Sequence, residues 1–373
     1  MRLADYDIDE VRGFVPGRDP LQALPPPFDA WDRIAEQLHL LTMTSRTHAV
    51  LAAMPELDAS GLTGIEQQRR AFLLLTAFAN TWLVGPNATL TIPRCISVPL
   101  IKLAKALGRK PITHHGTIVL SNWRRLDLAK PLSLDNIDTL VSFRGSIDEK
   151  WFFLSTVGAE LAGAPALPKL VHAVDAAAKR DHAGLRDVLS EVADITAETT
   201  VAFMRVRESC DPYIFYTHVR PYLASWPAPG VVYEATGVGP VVYSGGSAAQ
   251  SALLQAIDAA LGITHEHALT RDFLMSMRDY MPPKHRAFIE DLAAHSRVRA
   301  VVLEPQAPAD LRAAYDACIG AMDELRRKHF GLVSEYITKQ MPPNAEAVGT
   351  GGTSFNDFLR QSRLETARAK VGG

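Results

Sequence analysis

The sequence has few cysteines and no long uninterrupted hydrophobic run. Its three cysteines, Cys95, Cys210 and Cys318, are odd in number and far apart, which argues against a disulfide framework and against a zinc or iron–sulfur motif. The most apolar stretch, 71–84, includes Asn80 and falls short of the roughly 18 to 20 residues that a membrane span needs. The N-terminal MRLADYDIDEV lacks the apolar segment of a secretory signal. We therefore expect a soluble, cytoplasmic protein that does not bind membranes.

An excess of charge of one sign is also absent. Lysine and arginine total 39 against 41 acidic residues, for a formal net charge of −2, and the two signs are mixed along the chain. This balance does not favour binding to nucleic acid or to an anionic membrane surface. The 373 residues exceed the size at which a single core usually keeps growing, so two domains are expected.

Helical periodicity dominates the chain. Apolar residues recur at three- and four-residue steps, which predicts helices over 28–41, 65–83, 97–107, 149–161, 184–209, 212–223, 247–261, 282–295, 309–340 and 355–370. Strand candidates are few and short: 117–122, 231–233 and 241–243. The prediction is a mainly α protein, with a small helical domain and a proline-rich N-terminal arm in residues 1–143 and a larger helical domain in residues 144–373. Helical bundles commonly hold cofactors between facing helices, so the larger domain is where chemistry is expected.

His329 is the first candidate for chemistry. It lies on the apolar face of the longest predicted helix, three and four residues before Leu332 and Val333. A neutral imidazole in such a place suits a haem iron as an axial ligand. A lone histidine on a helix is also an ordinary core residue that hydrogen-bonds to a neighbour. Arg326, one turn earlier, could contact a haem propionate or remain a solvated surface arginine.

Four further segments have unusual composition. The glycine-rich 349–354 could approach a ligand closely or simply connect two helices. Gly245 and Gly246 lead into Ser247, a good helix N-cap that could also present free amides to an anion. The aromatic cluster 151–153 is typical of a core. Arg220 lies on an otherwise apolar helix face, where it either forms a structural pair or clamps a substrate carboxylate.

These segments, in this order and spacing, resemble the indoleamine 2,3-dioxygenase family. The resemblance rests on SFRGSIDEKWFF (142–153), GGSAAQS (245–251), MRDYMPPKHRAF (277–288), AYDACIGAMDELRRKHFGLVSEYI (314–337) and GTGGTSFNDFLRQSRLET (349–366). It runs from about residue 122 to the C-terminus and points to a bacterial-type member of the haem dioxygenase superfamily. The tetrameric tryptophan 2,3-dioxygenase type is a poorer match.

The resemblance implies a cofactor, a reaction and a set of site residues. The cofactor is haem b, ferrous in the active form, with His329 as the iron ligand, Arg326 as a propionate partner and Asp258 supporting that side. The reaction is that of O2 with L-tryptophan or a related indoleamine to give N-formylkynurenine, and a monomer is expected. The implied substrate pocket contains His115, Phe152, Phe153, Thr156, Phe215, Tyr216, Arg220, Ser247, Ala248, Thr350 and Gly351.

Within that pocket Arg220 is expected to hold the substrate carboxylate, with Thr156 and Ser247 the other catalytic candidates, and 349–353 to close the site. Thr156, Tyr216 and His115 depart from the residues common in the mammalian enzymes, which are serine, phenylalanine and tyrosine. These departures keep two alternatives open. One is a haem oxygenase that acts on another indole derivative in secondary metabolism, and the other is a non-catalytic haem-binding or scaffold protein.

Overall fold

The computed structural model describes residues 1–343, 349–351 and 355–372. Helices account for 61% of the chain and strands for 4%, which confirms the prediction of a mainly α fold. In the first part of the chain the α-helices are α1 (Asp29–Glu36), α2 (Leu38–Leu41), α3 (Thr47–Ala52), α4 (Ile65–Trp82), α5 (Arg94–Leu107) and α6 (His115–Ile118). They are followed by α7 (Ile147–Gly163), α8 (Ala166–Lys179), α9 (His182–Met204), α10 (Pro212–Ile214), α11 (Ala252–Leu261), α12 (Ala268–Met277), α13 (Pro283–His295), α14 (Val298–Val302), α15 (Ala309–Tyr336) and α16 (Phe355–Ala367).

The long helices of the second part form a bundle around α9 and α15. These two helices pack against each other, α7 and α8 pack on α9, and α16 packs on α15. Side-chain caps fix where two of the helices begin: Asp181 accepts the amide of Gly184 at the start of α9, and Ser146 accepts the amide of Glu149 at the start of α7. The bundle therefore holds α7, α9, α15 and α16 in fixed relation, and these helices surround the cavity described below.

Helix α4 is the centre of the first part. Every residue from Arg70 to Trp82 is buried, because α1, α3, α5 and α6 pack around it. The buried guanidinium of Arg70 is paired with Asp32 of α1, with Nη2 and Oδ1 2.8 Å apart. Such a pair satisfies two charges that would otherwise be costly to bury.

A small sheet connects the two parts of the chain. Its strands β1 (Thr91–Ile92), β4 (Val231–Tyr233) and β5 (Val238–Val241) lie in the order β1–β4–β5, with β1 parallel to β4 and β5 antiparallel to it. A second ribbon pairs β2 (Arg124–Arg125) with β3 (Ile137–Asp138). Because β1 precedes residue 143 and β4 follows it, the two parts share hydrogen bonds, and the division at residue 143 stays a prediction.

The structure corrects several details of the sequence analysis. The strand expected over 117–122 is wrong: His115–Ile118 is the helical turn α6, which Thr117 begins by accepting the amide of His114. The helix expected over 212–223 changes type twice, from α10 to a π-helix over Phe215–Val219 and then to a 3₁₀ helix over Arg220–Leu223. The helices α8 and α12 were not predicted. No helix in the described part of the chain is long and apolar enough to cross a membrane.

Candidate active site

A large apolar cavity lies between the helices of the second part. It encloses about 1260 Å³ of empty space, part of which is open to solvent. The sequence-predicted residues that line it are His115, Phe152, Thr156, Phe215, Ser247, Ala248, His329, Thr350 and Gly351. Residues from α6, α7, α9, α15, α16 and two loops thus meet at one place.

His329 presents its imidazole on the cavity wall from α15. Burial, together with the nearby Arg326 guanidinium, lowers the pKa of His329 to about 4, so the ring is neutral at physiological pH. Within the described residues neither ring nitrogen has a hydrogen-bond partner, and Phe203 contacts the ring edge-on with centroids 5.6 Å apart. A neutral imidazole with unused nitrogens beside a cavity is available as a ligand.

Aromatic rings form much of the opposite wall. The rings of Phe152 and Phe215 lie 4.5 Å apart, and Phe215 contacts Tyr336 edge-on at 5.9 Å. Phe153, the third ring of the predicted cluster, is fully buried against Phe152 and does not line the cavity. The rings supply a flat apolar surface that excludes water from a bound aromatic ligand.

A buried charged cluster lies next to the helical turn that precedes His329. Arg326 Nη2 is 2.5 Å from Asp258 Oδ2, and His265 contacts the same oxygen at 3.3 Å while its other nitrogen contacts Glu365 at 3.0 Å. Burial alone would raise the pKa of Asp258, but Arg326 and His265 hold it below its ordinary value. Arg326 Nη1 and Asp258 Oδ1 are buried without a partner among the described residues. The cluster joins α11, α15 and α16, and none of its four residues lines the cavity.

Gln250 organises the loop that covers the cavity, a role that the sequence analysis missed. Its side-chain oxygen accepts the backbone amides of His115 and Ser247, and its nitrogen donates to the carbonyl of Gly245. Ser247 and Gln250 form a reciprocal capping box around the 3₁₀ turn Ala248–Gln250. The serine and the glutamine three residues later were the sequence signal for this arrangement.

Gly245 brings the loop against two other segments. Its amide donates to the carbonyl of Thr350, and a Cβ at this position would lie 2.0 Å from the carbonyl oxygen of Leu223. Thr350 in turn donates its hydroxyl to the carbonyl of Gly246, a 2.5 Å contact. Only glycine permits this close approach. The rest of the predicted closing loop, Gly352 and Thr353, lies outside the described residues.

His115 belongs to a buried polar chain that the sequence analysis also missed. Its Nε2 lies 2.9 Å from Oε1 of Glu160, and the hydroxyl of Ser251 donates to the same oxygen at 2.6 Å. All three residues are nearly inaccessible. Glu160 follows Thr156 by one turn on an apolar face of α7, and an acidic residue there was the available signal.

Arg220 and Tyr216 lie beside the cavity rather than in its wall. The guanidinium of Arg220 stacks on the ring of Tyr216, 5.3 Å from its centroid, and burial lowers the pKa of Arg220. Both residues lie at the π-helical segment that carries Phe215, a rare geometry that often occurs at functional sites. An arginine at this point is close to the aromatic wall without entering it.

The residues around the cavity fit a haem group. The walls are mostly apolar, and His329 supplies a neutral imidazole on them. Arg326, the predicted propionate partner, does not line the cavity in this structure, where it is paired with Asp258. No group of three or more His, Cys, Asp or Glu side chains in the described ranges could hold a metal ion.

Fold and cavity together define a helical protein with a mainly apolar cavity that can hold a cofactor or ligand. Comparison with known proteins narrows this class: residues 2–369 match the family model described as indoleamine 2,3-dioxygenase. The chain is 35% identical to mouse indoleamine 2,3-dioxygenase 2, over 99% of this chain and 95% of that protein. It is 31% identical to the Saccharomyces cerevisiae indoleamine 2,3-dioxygenase, over 98% and 92%, and 29% identical to a protein of Haliotis madaka named myoglobin, over 99% of each. The chain belongs to the indoleamine 2,3-dioxygenase family.

Proposed function

We propose that the chain binds haem b through His329 and cleaves the indole C2–C3 bond of L-tryptophan, or of a close indoleamine relative, with O2 to give N-formylkynurenine. The observation that carries the proposal is the neutral imidazole of His329 on the wall of a large apolar cavity. Membership of the indoleamine 2,3-dioxygenase family supports the same reaction. The haem supplies the redox chemistry that lets O2 react with the indole ring.

The protein's own contribution is to hold the substrate and exclude water. Phe152 and Phe215 offer a surface for the indole ring, and the loop that Thr350 fastens to Gly246 covers it. The hydroxyl of Thr156 donates to the carbonyl of Phe152 and lies in the cavity wall, where it fixes the position of this side chain beside the aromatic rings. Positioning of this kind can supply a large part of a rate enhancement.

Arg220 is proposed to pair with the substrate carboxylate. In the structure its guanidinium rests on Tyr216, next to the segment that carries Phe215. Pairing with a carboxylate in the cavity would add a charge-assisted hydrogen bond to the guanidinium, which in the structure already makes a cation–π contact with Tyr216. The charge-assisted hydrogen bond is the stronger of the two contacts in most settings.

Spectroscopy and product analysis test the proposal. The reduced, haem-loaded protein is mixed with L-tryptophan and O2, and the absorbance and mass of the product are recorded. A gain of two oxygen atoms supports the dioxygenase, whereas one added atom would indicate monooxygenation of the indole. Because one full-length relative is named a myoglobin, binding of haem or O2 alone does not establish turnover.

A pair of histidine variants supplies the matched control. His329→Ala should lose the haem absorption of the wild type and all product formation, because it removes the nitrogen that would bind the iron. His295→Ala changes an exposed histidine at the end of α13, whose ring contacts the carbonyl of Asp291, and should behave as the wild type. Full haem binding and turnover in His329→Ala would reject the assignment.

A further inference from the structure

The proposed function assigns no role to the buried polar chain of His115, Glu160 and Ser251. Most of the cavity wall is apolar, and His115 is one of the few polar side chains in it. The imidazole is held from two directions: Nε2 contacts Glu160, and the backbone amide donates to Gln250. A side chain fixed this firmly at the edge of a ligand cavity has a defined orientation toward whatever the cavity holds.

The second ring nitrogen, Nδ1, differs from its surroundings. Within the described residues it has no hydrogen-bond partner, and part of its surface is accessible. Both ring nitrogens of the adjacent His114, by contrast, are unpaired and completely buried. The accessible space next to His115 is the cavity. We therefore take Nδ1 as the atom of His115 that a ligand can reach.

Glu160 decides which hydrogen-bonding character Nδ1 has. Ser251 donates its hydroxyl to Oε1 of Glu160, the same oxygen that faces Nε2 of His115. The oxygen that accepts from Ser251 also faces Nε2, so the contact with the ring is met when Nε2 carries the ring proton. The proposal requires the form of the imidazole with a single proton, in which Nδ1 presents a lone pair and accepts.

We propose that Nδ1 of His115 accepts a hydrogen bond from the indole N–H of the substrate, and that Glu160 and Ser251 hold the ring in the tautomer this requires. The inference rests on the proposed function. The indole N–H is the one neutral donor of an indoleamine, and it matches a neutral acceptor at the edge of an aromatic-walled cavity. His115 is thus a specificity-determining residue, and Glu160 and Ser251 are positioning residues.

The proposal predicts discrimination against ligands that lack the N–H. In 3-(benzothiophen-3-yl)-L-alanine a sulfur replaces the indole N–H and the rest of L-tryptophan is kept. Dissociation constants of both ligands are measured by anaerobic calorimetric titration of the haem-loaded protein. The benzothiophene should bind about tenfold to a hundredfold more weakly, because it leaves a buried acceptor unpaired. Equal affinities for the two ligands would overturn the proposal.

Adjacent histidines provide the matched variants. His115→Leu should weaken L-tryptophan binding to the level of the benzothiophene and bring the ratio of the two constants near one. His114→Leu changes a fully buried neighbour outside the cavity wall and should keep the wild-type ratio. If His115 instead contacted the substrate ammonium group, His115→Leu would weaken both ligands equally, which would contradict the proposal.

Glu160→Gln tests the tautomer separately. A glutamine amide can donate to Nε2, which moves the ring proton to Nδ1 and removes the acceptor. The ratio of the benzothiophene dissociation constant to that of L-tryptophan should fall, while the affinity for the benzothiophene stays the same. A loss of packing alone would weaken the binding of both ligands and would not give that pattern. If His115→Leu does not fold, the wild-type ratio and Glu160→Gln decide the question.

The inference and the proposed function fail in different ways. If N-formylkynurenine forms but the two dissociation constants have a ratio near one, the role of His115 is rejected and the proposed dioxygenase reaction is retained. A large ratio without product would keep the hydrogen bond and reject the reaction. A protein that does not bind L-tryptophan would reject both.

Discussion

Replacement of Asp258 by asparagine should cost far more stability than replacement of an ordinary surface carboxylate. Asp258 and Arg326 keep side-chain exposures of 9% and 12%, and their closest atoms are 2.5 Å apart. Asp258→Asn keeps the shape but removes the charge that compensates a buried guanidinium. Breaking one side of a buried pair costs about 3–5 kcal/mol. Because asparagine can still accept one hydrogen bond from Arg326, we expect a loss of about 3 kcal/mol in the free energy of unfolding.

Helix α15, which carries Arg326, offers a control for this experiment. Asp323 of α15 pairs with Arg363, and the side-chain exposures of that pair are 25% and 45%. Asp323→Asn should cost at most about 1 kcal/mol, as solvated pairs do. Urea unfolding at pH 7, followed by tryptophan fluorescence, measures both variants. A loss in Asp258→Asn no greater than that in Asp323→Asn would refute the reasoning.

The remaining predictions concern His265 and two glycines. Burial opposes protonation of His265, but two flanking carboxylates prevail and raise its pKa. The difference in unfolding free energy between the wild type and His265→Gln should therefore be largest below about pH 6.5, and it should decrease as the pH rises through the pKa of His265 in the folded protein. Urea unfolding midpoints of the two proteins that differ by the same amount at every pH would contradict this. Gly245→Ala should lower the melting temperature sharply, because its Cβ would meet the carbonyl of Leu223. Gly320→Ala, where a Cβ meets nothing within 4 Å in the middle of α15, should instead stabilise by about 0.5–1 kcal/mol in calorimetric melting.

Where apolar periodicity was long and uninterrupted, the sequence predicted the fold well. The pattern expected over 65–83 and 309–340 corresponds to α4 and α15, because a face that must be buried repeats at helical spacing there. The run at 117–122 misled for a physical reason: its β-branched residues favour a strand, but the Thr117 hydroxyl satisfies the amide of His114 and starts a turn. The helices α8 and α12 do carry buried apolar residues at helical spacing, such as Leu167, Leu170 and Val174 of α8, so the sequence contained this signal although the prediction missed it.

Some residues of the candidate site could be predicted from the sequence, whereas their partners could not. His329 could be selected from its helix face, and the structure places it on the cavity wall. The partners of the site could not be derived, since Glu160 reaches His115 from 45 residues away and Asp258 reaches Arg326 from 68 residues away. Contacts at such separations depend on how the helices are stacked, and no local pattern encodes them. The stacking of Arg220 on Tyr216 depends on a π-helical turn that helical periodicity does not distinguish from an α-helix.

The last helix has a consequence for the order in which the pocket can be built. Phe355, Phe358 and Leu359 of α16 complete the wall around His329, although they follow it in the chain by 26 to 30 residues. During synthesis the imidazole therefore leaves the ribosome ahead of the segment that shelters it. A cofactor bound at that moment would lie in an incomplete cavity that is open to water. If His329 holds the cofactor as proposed, the wall around the bound group is complete only when α16 is docked on α15.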